Sequence, residues 1–374
     1  MSWIKLIFLF ALLGVFSCSY EVSDNRYSKW VVAVYMAGDN NLSDYATLDL
    51  KEMMDAGSDE NVRVVVLCDR GEGTTVYEVK NGWLEPVEGF GNLNTGSPDT
   101  LKLFLDSIFH HYSFSNLALV VWDHGNGWEI ASIDDTSKDY LTMYEIYKVL
   151  KDNSIHLGFL GFDECLAGMV EVFYTFKDFA DVMVASEASE PGNGWDYKGL
   201  IEVFRKTDLS PFSLGKAAVD SYYTFYRDYC AETGVEDCVL AAVNSTDMDG
   251  VVNSLENIVS FYSPSTSLDF KIARENSLYV DPYFSDYIDL YSFADSLFTV
   301  SSDEILVQEI NNLKSALDKF YVRSVFNKLK GVSIYFPQSA SDISPEEYYN
   351  YSYFSPYNLF TQTNWDEFLE SFVN

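Results

Sequence analysis

A sulfur nucleophile and an imidazole that meet can break an acyl bond, because the thiolate attacks and the imidazole carries the proton. This chain offers one of each in matching places. The apolar run LALVVW ends in Asp123-His124-Gly125-Asn126-Gly127-Trp128, and the run LGFLGF ends in Asp163-Glu164-Cys165-Leu166. If the two runs are neighbouring parallel strands, their carboxyl ends share one rim of a sheet, where open α/β folds bind ligands. Gly125 and Gly127 let the chain turn sharply there and bring backbone N–H groups close to a substrate carbonyl. The oxyanion donors expected from this arrangement are the backbone N–H groups of Gly125 and Cys165. On residue type alone, a Cys behind a strand is more often a structural thiol, and a strand-end His more often a hydrogen-bonded loop residue. The pair therefore needs the surrounding elements to give it meaning.

Those elements are legible as short apolar runs rich in β-branched residues at 31–36, 62–67, 117–122, 157–162, 182–185, 239–243 and 332–336, most of which read as buried strands. Segments with helical spacing alternate with them at 43–56, 98–111, 142–151 and 166–177. Continuous apolar strands alternating with helices predict a mostly parallel sheet covered on both faces. Two shorter alternating runs, 75–79 and 83–87, are joined by Lys80-Asn81-Gly82 and predict an antiparallel hairpin at its edge. Beyond residue 244 the pattern turns mainly helical, over 246–262, 285–297 and 303–320, before the run at 332–336. The expected organisation is a leader over 1–19, an α/β core over 20–244, a mainly helical subdomain over 245–330, and a return strand with C-terminal wrapping over 331–374.

Composition bounds the function. Apolar residues make up 48% of the 374 and aromatics 16%, enough to bury a large core. Acidic residues number 57 against 24 basic, for a net charge of −33; such a field repels a phosphate backbone, excluding nucleic acid as a partner, and attracts cationic peptides. The same acidity also serves solubility alone. The start MSWIKLIFLFALLGVFSCSY reads as a secretory leader, and Val15-Phe16-Ser17-Cys18 is similar to a bacterial lipobox, so Cys18 is expected to carry a lipid and anchor the protein outside the cytoplasm, with ordinary secretion as the other reading. Cys68 ends an apolar run as a buried thiol, while Cys230 and Cys238 flank a short polar turn at a spacing that leaves their pairing open.

WDHGNGW and GFDECLAG resemble the histidine and cysteine motifs of the clostripain family of peptidases, whose usual forms are similar to WDHGSGW and FDACLMG. YMAGDNNLSDYATLDLKEM from Tyr35, VASEASEPGNGWDY from Val184 and GVSIYFP from Gly331 resemble further family blocks, in family order. The resemblance implies a caspase-like αβα sandwich, His124 and Cys165 as the catalytic pair, and cleavage of peptides after Arg or Lys. It implies Asp163 as the acid of the primary specificity pocket, with helix capping as the plainer role for that residue, and it places Asn193 and Trp195 of the post-cysteine motif in the substrate-binding region. The family pattern often carries an acid where Asn193 stands, which leaves the choice between Arg and Lys open. Members are matured by a cut between the two catalytic blocks, which here points to Lys138 in IDDTSKDY. No cofactor is required for this chemistry; some members use calcium, for which Asp39 and Asp44 are the candidate ligands, although Asp39-Asn40-Asn41 and Asp44 also suit a helix cap. The competing reading is a surface-anchored binding protein on a catalytically degenerate peptidase scaffold.

Overall fold

The computed structural model describes residues 27–206, 208–233, 238–343 and 352–374, so the leader and Cys18 lie outside the described residues. In chain order the first half contains β1 (Tyr27–Ala37), α1 (Ser43–Ala56), β2 (Val62–Asp69), β3 (Thr74–Lys80), β4 (Trp83–Gly91), α2 (Pro98–His111), β5 (Ser113–Trp122), β6 (Ile130–Asp134), β7 (Asp139–Thr142), α3 (Met143–Asp152), β8 (Phe159–Asp163), α4 (Val170–Phe176) and β9 (Val182–Ala185). The second half contains α5 (Tyr197–Phe204), α6 (Pro211–Thr233), β10 (Val239–Asn244), α7 (Met248–Val259), α8 (Ser267–Glu275), β11 (Tyr287–Asp289), α9 (Leu290–Val300), α10 (Glu304–Leu317), β12 (Tyr321–Ser324), β13 (Ser333–Tyr335) and α11 (Trp365–Val373).

Nine of these strands form one sheet in the order β12-β10-β9-β8-β5-β1-β2-β3-β4. The five central strands, β9, β8, β5, β1 and β2, run parallel. Antiparallel pairs close both edges: β10 and β12 on one side, the expected β3–β4 hairpin on the other. The apolar runs are continuous because both faces are covered. Along β1, Val31, Ala33, Tyr35 and Ala37 point into one core, and Trp30, Val32, Val34 and Met36 into the other. Helices α1, α5 and α6 cover the second face and the remaining eight the first, giving the expected αβα sandwich. Local signals set the helix starts. Ser97 caps α2 with Pro98 at its first position, and Thr142 with Glu145 forms a capping box on α3.

Three expectations need correction. The run at 332–336 does not rejoin the central sheet; β13 pairs with β11 in a separate two-stranded sheet, and only three of its residues pair. The helix expected over 285–297 begins at Leu290, because Asp289 caps it by accepting from the Ser292 N–H, and β11 precedes it. The helix expected over 166–177 begins at Val170, since Leu166 sits at φ 67° and breaks the turn behind Cys165. The mainly helical segment 245–330 packs on the sheet: its α7 to α10 side chains join the same core as α2, α3 and α4, and β12 near its end is an edge strand of the main sheet. The buried Arg274 guanidinium ties α8 to this layer by donating to the carbonyls of Ser285 (2.6 Å) and Phe336 (2.5 Å).

Cys230, at the end of α6, is bonded to Cys238, just ahead of β10, across a separation of 8 residues. Closing a loop of this length stabilises a fold by about 2–3 kcal/mol through the unfolded chain. Replacing both cysteines by serine is expected to lower the unfolding free energy by about 2 kcal/mol. Denaturant melts of the two proteins check this; equal midpoints would show that the bond contributes nothing.

Candidate active site

Strand register assembles the site. Trp122 at the end of β5 pairs with Asp163 at the end of β8, and with Met36 of β1 on its other side. Each chain then continues two residues past its paired position, to His124 and to Cys165. Equal offsets from an in-register pair put the imidazole and the thiol on the same rim. Both line one cavity of about 260 Å³, together with Leu42, Tyr45, Asp163 and Glu190. The backbones approach so closely that a Cβ on Gly125 would stand 2.7 Å from the Cys165 carbonyl oxygen. Gly127, at φ 69°, leaves no room either: a Cβ there would meet the Met169 sulfur at 2.5 Å.

Across the rim the order follows the sheet: the loop after β9, then Cys165, then His124, then the loop after β1. The Glu190 N–H donates to Cys165 Sγ at 3.3 Å, and His124 Nε2 is 2.7 Å from Asn41 Oδ1. Among the described residues no hydrogen bond joins thiol and imidazole, and the N–H groups of Gly125 and Cys165 have no protein acceptor. The loop before His124 is held from behind: buried Asp123 accepts from the Ile133 N–H (2.5 Å) and from Asn40 Nδ2 (2.6 Å). Burial holds the Cys165 thiol above its ordinary value, partly offset by the Glu190 N–H. Burial also lowers His124, with Asp135 acting the other way. Both shifts favour the uncharged forms, a thiol and a neutral imidazole.

The cavity floor is acidic. Asp163 accepts from Tyr197 Oη (2.8 Å) and from the Trp195 N–H (3.3 Å), yet burial still pushes it up to about 7. Asp49, accepting from Trp122 Nε1 at 2.6 Å, is pushed up to about 9 by burial and by Asp163. Glu164 is 2% exposed and neither carboxyl oxygen has a partner; burial first, then Asp123, raises it well above the carboxylate range.

The sequence model of the clostripain family matches residues 34–372. The chain belongs to the clostripain family. Clostripain of Hathewaya histolytica is 25% identical over 224 residues, 48% of this chain and 42% of that protein, so the matched stretch spans less than half of its relative. A secreted C11 cysteine protease of Bacteroides thetaiotaomicron, solved with an irreversible peptide inhibitor, shares the fold at a TM-score of 0.73 and 20% identity, over 91% of this chain and 100% of that one. An inactive zymogen C11 protease of Parabacteroides distasonis does so at 0.69 and 20%, over 91% and 98%.

Within this clostripain-family chain, His124, Cys165 and Asp163 come together at one cavity, while other expected residues do not. Trp195 is 2% exposed and packs beneath the sheet end against Phe159, so it supports the cavity from behind. Asn193 is absent from the lining. Asp163 caps no helix, because the chain after Cys165 is not helical until Val170. Of the candidate calcium ligands, Asp39 is buried with its Oδ2 unpartnered. Asn40 donates to Asp123, Asn41 holds His124, Asp44 is exposed, and among the described residues no group of three or more His, Cys, Asp or Glu converges on a cation position. Sequence reasoning missed Asn41 as the partner of His124 and Glu190 as a cavity acid; both stand in motifs it had marked, at the ends of β1 and β9. Lys138 is exposed, at φ 53°, on the tip of the β6–β7 hairpin, which pairs Asp134 with Asp139. The expected loop is thus a hairpin, braced where Ile133 meets Asp123 and Asn40.

Buried carboxyls bind their protons more tightly in the fold than in the unfolded chain, whose values lie near 4. Stability is therefore full in mild acid and is lost as pH rises from about 4 through the folded values, about 7 for Asp163 and about 9 for Asp49. The thermal midpoint is expected to fall steadily from pH 5 to pH 8.5 at constant ionic strength. A midpoint that climbs over that interval would contradict the acidic floor.

Proposed function

We propose that this chain is an extracytoplasmic cysteine endopeptidase that cleaves after Arg or Lys. The observation that carries the reading is the pairing of Trp122 with Asp163, with His124 and Cys165 on the lining of one cavity and the N–H groups of Gly125 and Cys165 unengaged. With Nε2 engaged by Asn41, the nitrogen left for the thiol proton is His124 Nδ1. Cys165 passes its proton to this nitrogen and attacks the substrate carbonyl, and the N–H groups of Gly125 and Cys165 receive the oxyanion. His124 then protonates the departing amine, and water releases the acyl group from sulfur.

The Asp163 carboxyl on the cavity floor suits a guanidinium or ammonium, and the charge of −33 favours approach of cationic peptides. The leader with Cys18 and the Cys230–Cys238 bond support a location in an oxidising compartment, by lipid anchor or by secretion. Among the described residues no helix is long and apolar enough to cross a membrane. Maturation by self-cleavage after Lys138 fits a lysine at an exposed hairpin tip.

An arginyl chloromethyl ketone should alkylate Cys165 stoichiometrically, as read by peptide mass, and the Cys165→Ala chain should neither react nor hydrolyse an arginyl amide. Absence of labelling in the unsubstituted protein would instead favour a binding scaffold. For maturation, intact mass should reveal a cut between Lys138 and Asp139 that disappears in both Cys165→Ala and Lys138→Gln. A cut that persists in Cys165→Ala would assign it to another protease.

A further inference from the structure

The primary cavity is lined by carboxyls beyond the Asp163 that the sequence motifs assign to it. Glu190 lines it together with Asp163, and Trp195 bridges the two, its backbone N–H donating to Asp163 (3.3 Å) and its indole Nε1 to Glu190 (3.4 Å). We propose that Glu190 is the second acid of this pocket, standing in for the acid missing at Asn193, and that a basic side chain binds by displacing one proton from the Asp163–Glu190 pair. The inference rests on the reading that this cavity takes a basic side chain.

Several observations converge on it. Glu190 Oε1 accepts weakly from Trp195 Nε1 at 3.4 Å, while Oε2 is buried without a partner. Beside it Glu164, 2% exposed, leaves both of its oxygens unpartnered. These buried oxygens lack donors, and a guanidinium or ammonium supplies them. Glu190 faces Asp163 from β8, Glu164 and Cys165 from the turn behind it, Tyr197 from α5, and Tyr222 and Tyr226 from α6, while Asp49 and Glu52 from α1 act on Asp163 and Asp123 after β5 acts on Glu164. Among the described residues no lysine or arginine lines the cavity; Lys198 stands 4.0 Å from Asp55 and acts on Glu52.

With no fixed cation, like carboxyls this close cannot both ionise, and burial followed by Asp163 keeps Glu190 well above the carboxylate range. A cation entering from the substrate supplies the missing charge. One O–H bond of the pair then breaks, its proton leaves to solvent, and no other covalent bond changes. The Glu190 N–H already holds the Cys165 sulfur, so one residue connects the pocket acid to the nucleophile.

The test is calorimetric titration of the Cys165→Ala chain with benzamidine in two buffers of different ionisation enthalpy. At pH 6 about one proton should be released per benzamidinium bound, falling toward none by pH 8. Adding Glu190→Gln should weaken binding about ten-fold. It should also lower the release at pH 6 to less than half, because the amide donates to Asp163 and favours its ionised form. In the active enzyme Glu190→Gln should raise KM for an arginyl amide while leaving kcat within about three-fold, a split that a merely structural defect would not give. No proton release at pH 6 overturns the proposal without recourse to any pocket variant. Unchanged affinity in Glu190→Gln, with binding lost in Asp163→Asn, overturns it while leaving the basic pocket standing. Unchanged affinity in both variants overturns the basic pocket itself.

Discussion

The hydrogen-bonded register between β5 and β8 is the constraint from which the site follows. A slip of one residue would turn Trp122 and Phe162 to the wrong faces of the sandwich, so the two cores fix the pairing of Trp122 with Asp163. Once that pair is set, chain length alone delivers His124 and Cys165 to the same rim. Gly125 then allows the two turns to touch, with a separation from the Cys165 carbonyl that no side chain would tolerate. The chemistry is thus positioned by strand segments, 117–122 and 159–163, that are buried throughout, while the reacting groups sit on the turns that leave them.

The core that fixes this register also creates an electrostatic cost around the nucleophile. Asp49, Asp163, Glu164 and Glu190 are gathered where burial opposes their ionisation, and hydrogen bonds from Trp122, Tyr197 and Trp195 offset only part of it. Fully solvated acids would make a more stable fold and a weaker cation site. The arrangement places destabilising groups where a cationic ligand would relieve them, a common trade between stability and function.

Much of this was legible in the residues, because the dominant signals were strong and local. The parallel strands carry continuous apolar runs such as VVAVYMA, VVVLC and LALVVW, and α1 and α2 begin and end at the residues their spacing indicated. Failures have physical causes. Helix α6 escaped notice because its buried stripe of Leu214, Ala218, Tyr222 and Tyr226 is crowded by exposed Phe225 and Tyr229, which blur the polar face. The turn after Cys165 looked helical since Leu166, Ala167 and Met169 are all buried, but they are buried by packing against the loop after β9 rather than by winding. Trp195, expected in the substrate-binding region, is buried and reaches the cavity through its bonds to Asp163 and Glu190. Glu190 and Asn41 could not be given roles from spacing, because each meets its partner across strands that lie far apart in the chain.

The β6–β7 hairpin carries a topological consequence. Everything up to Lys138 contributes β1 to β6, and everything after it contributes β7 to β13, yet β5 and β8 lie side by side in the middle of one sheet. Severing the tip would therefore create two polypeptides that share a single interior, with β5 and β8 as their seam. Separating them would expose the central strands and both hydrophobic cores to water. Such a nicked protein would persist as a non-covalent heterodimer, each fragment serving as the other's missing half, with the imidazole on one polypeptide and the thiol on the other.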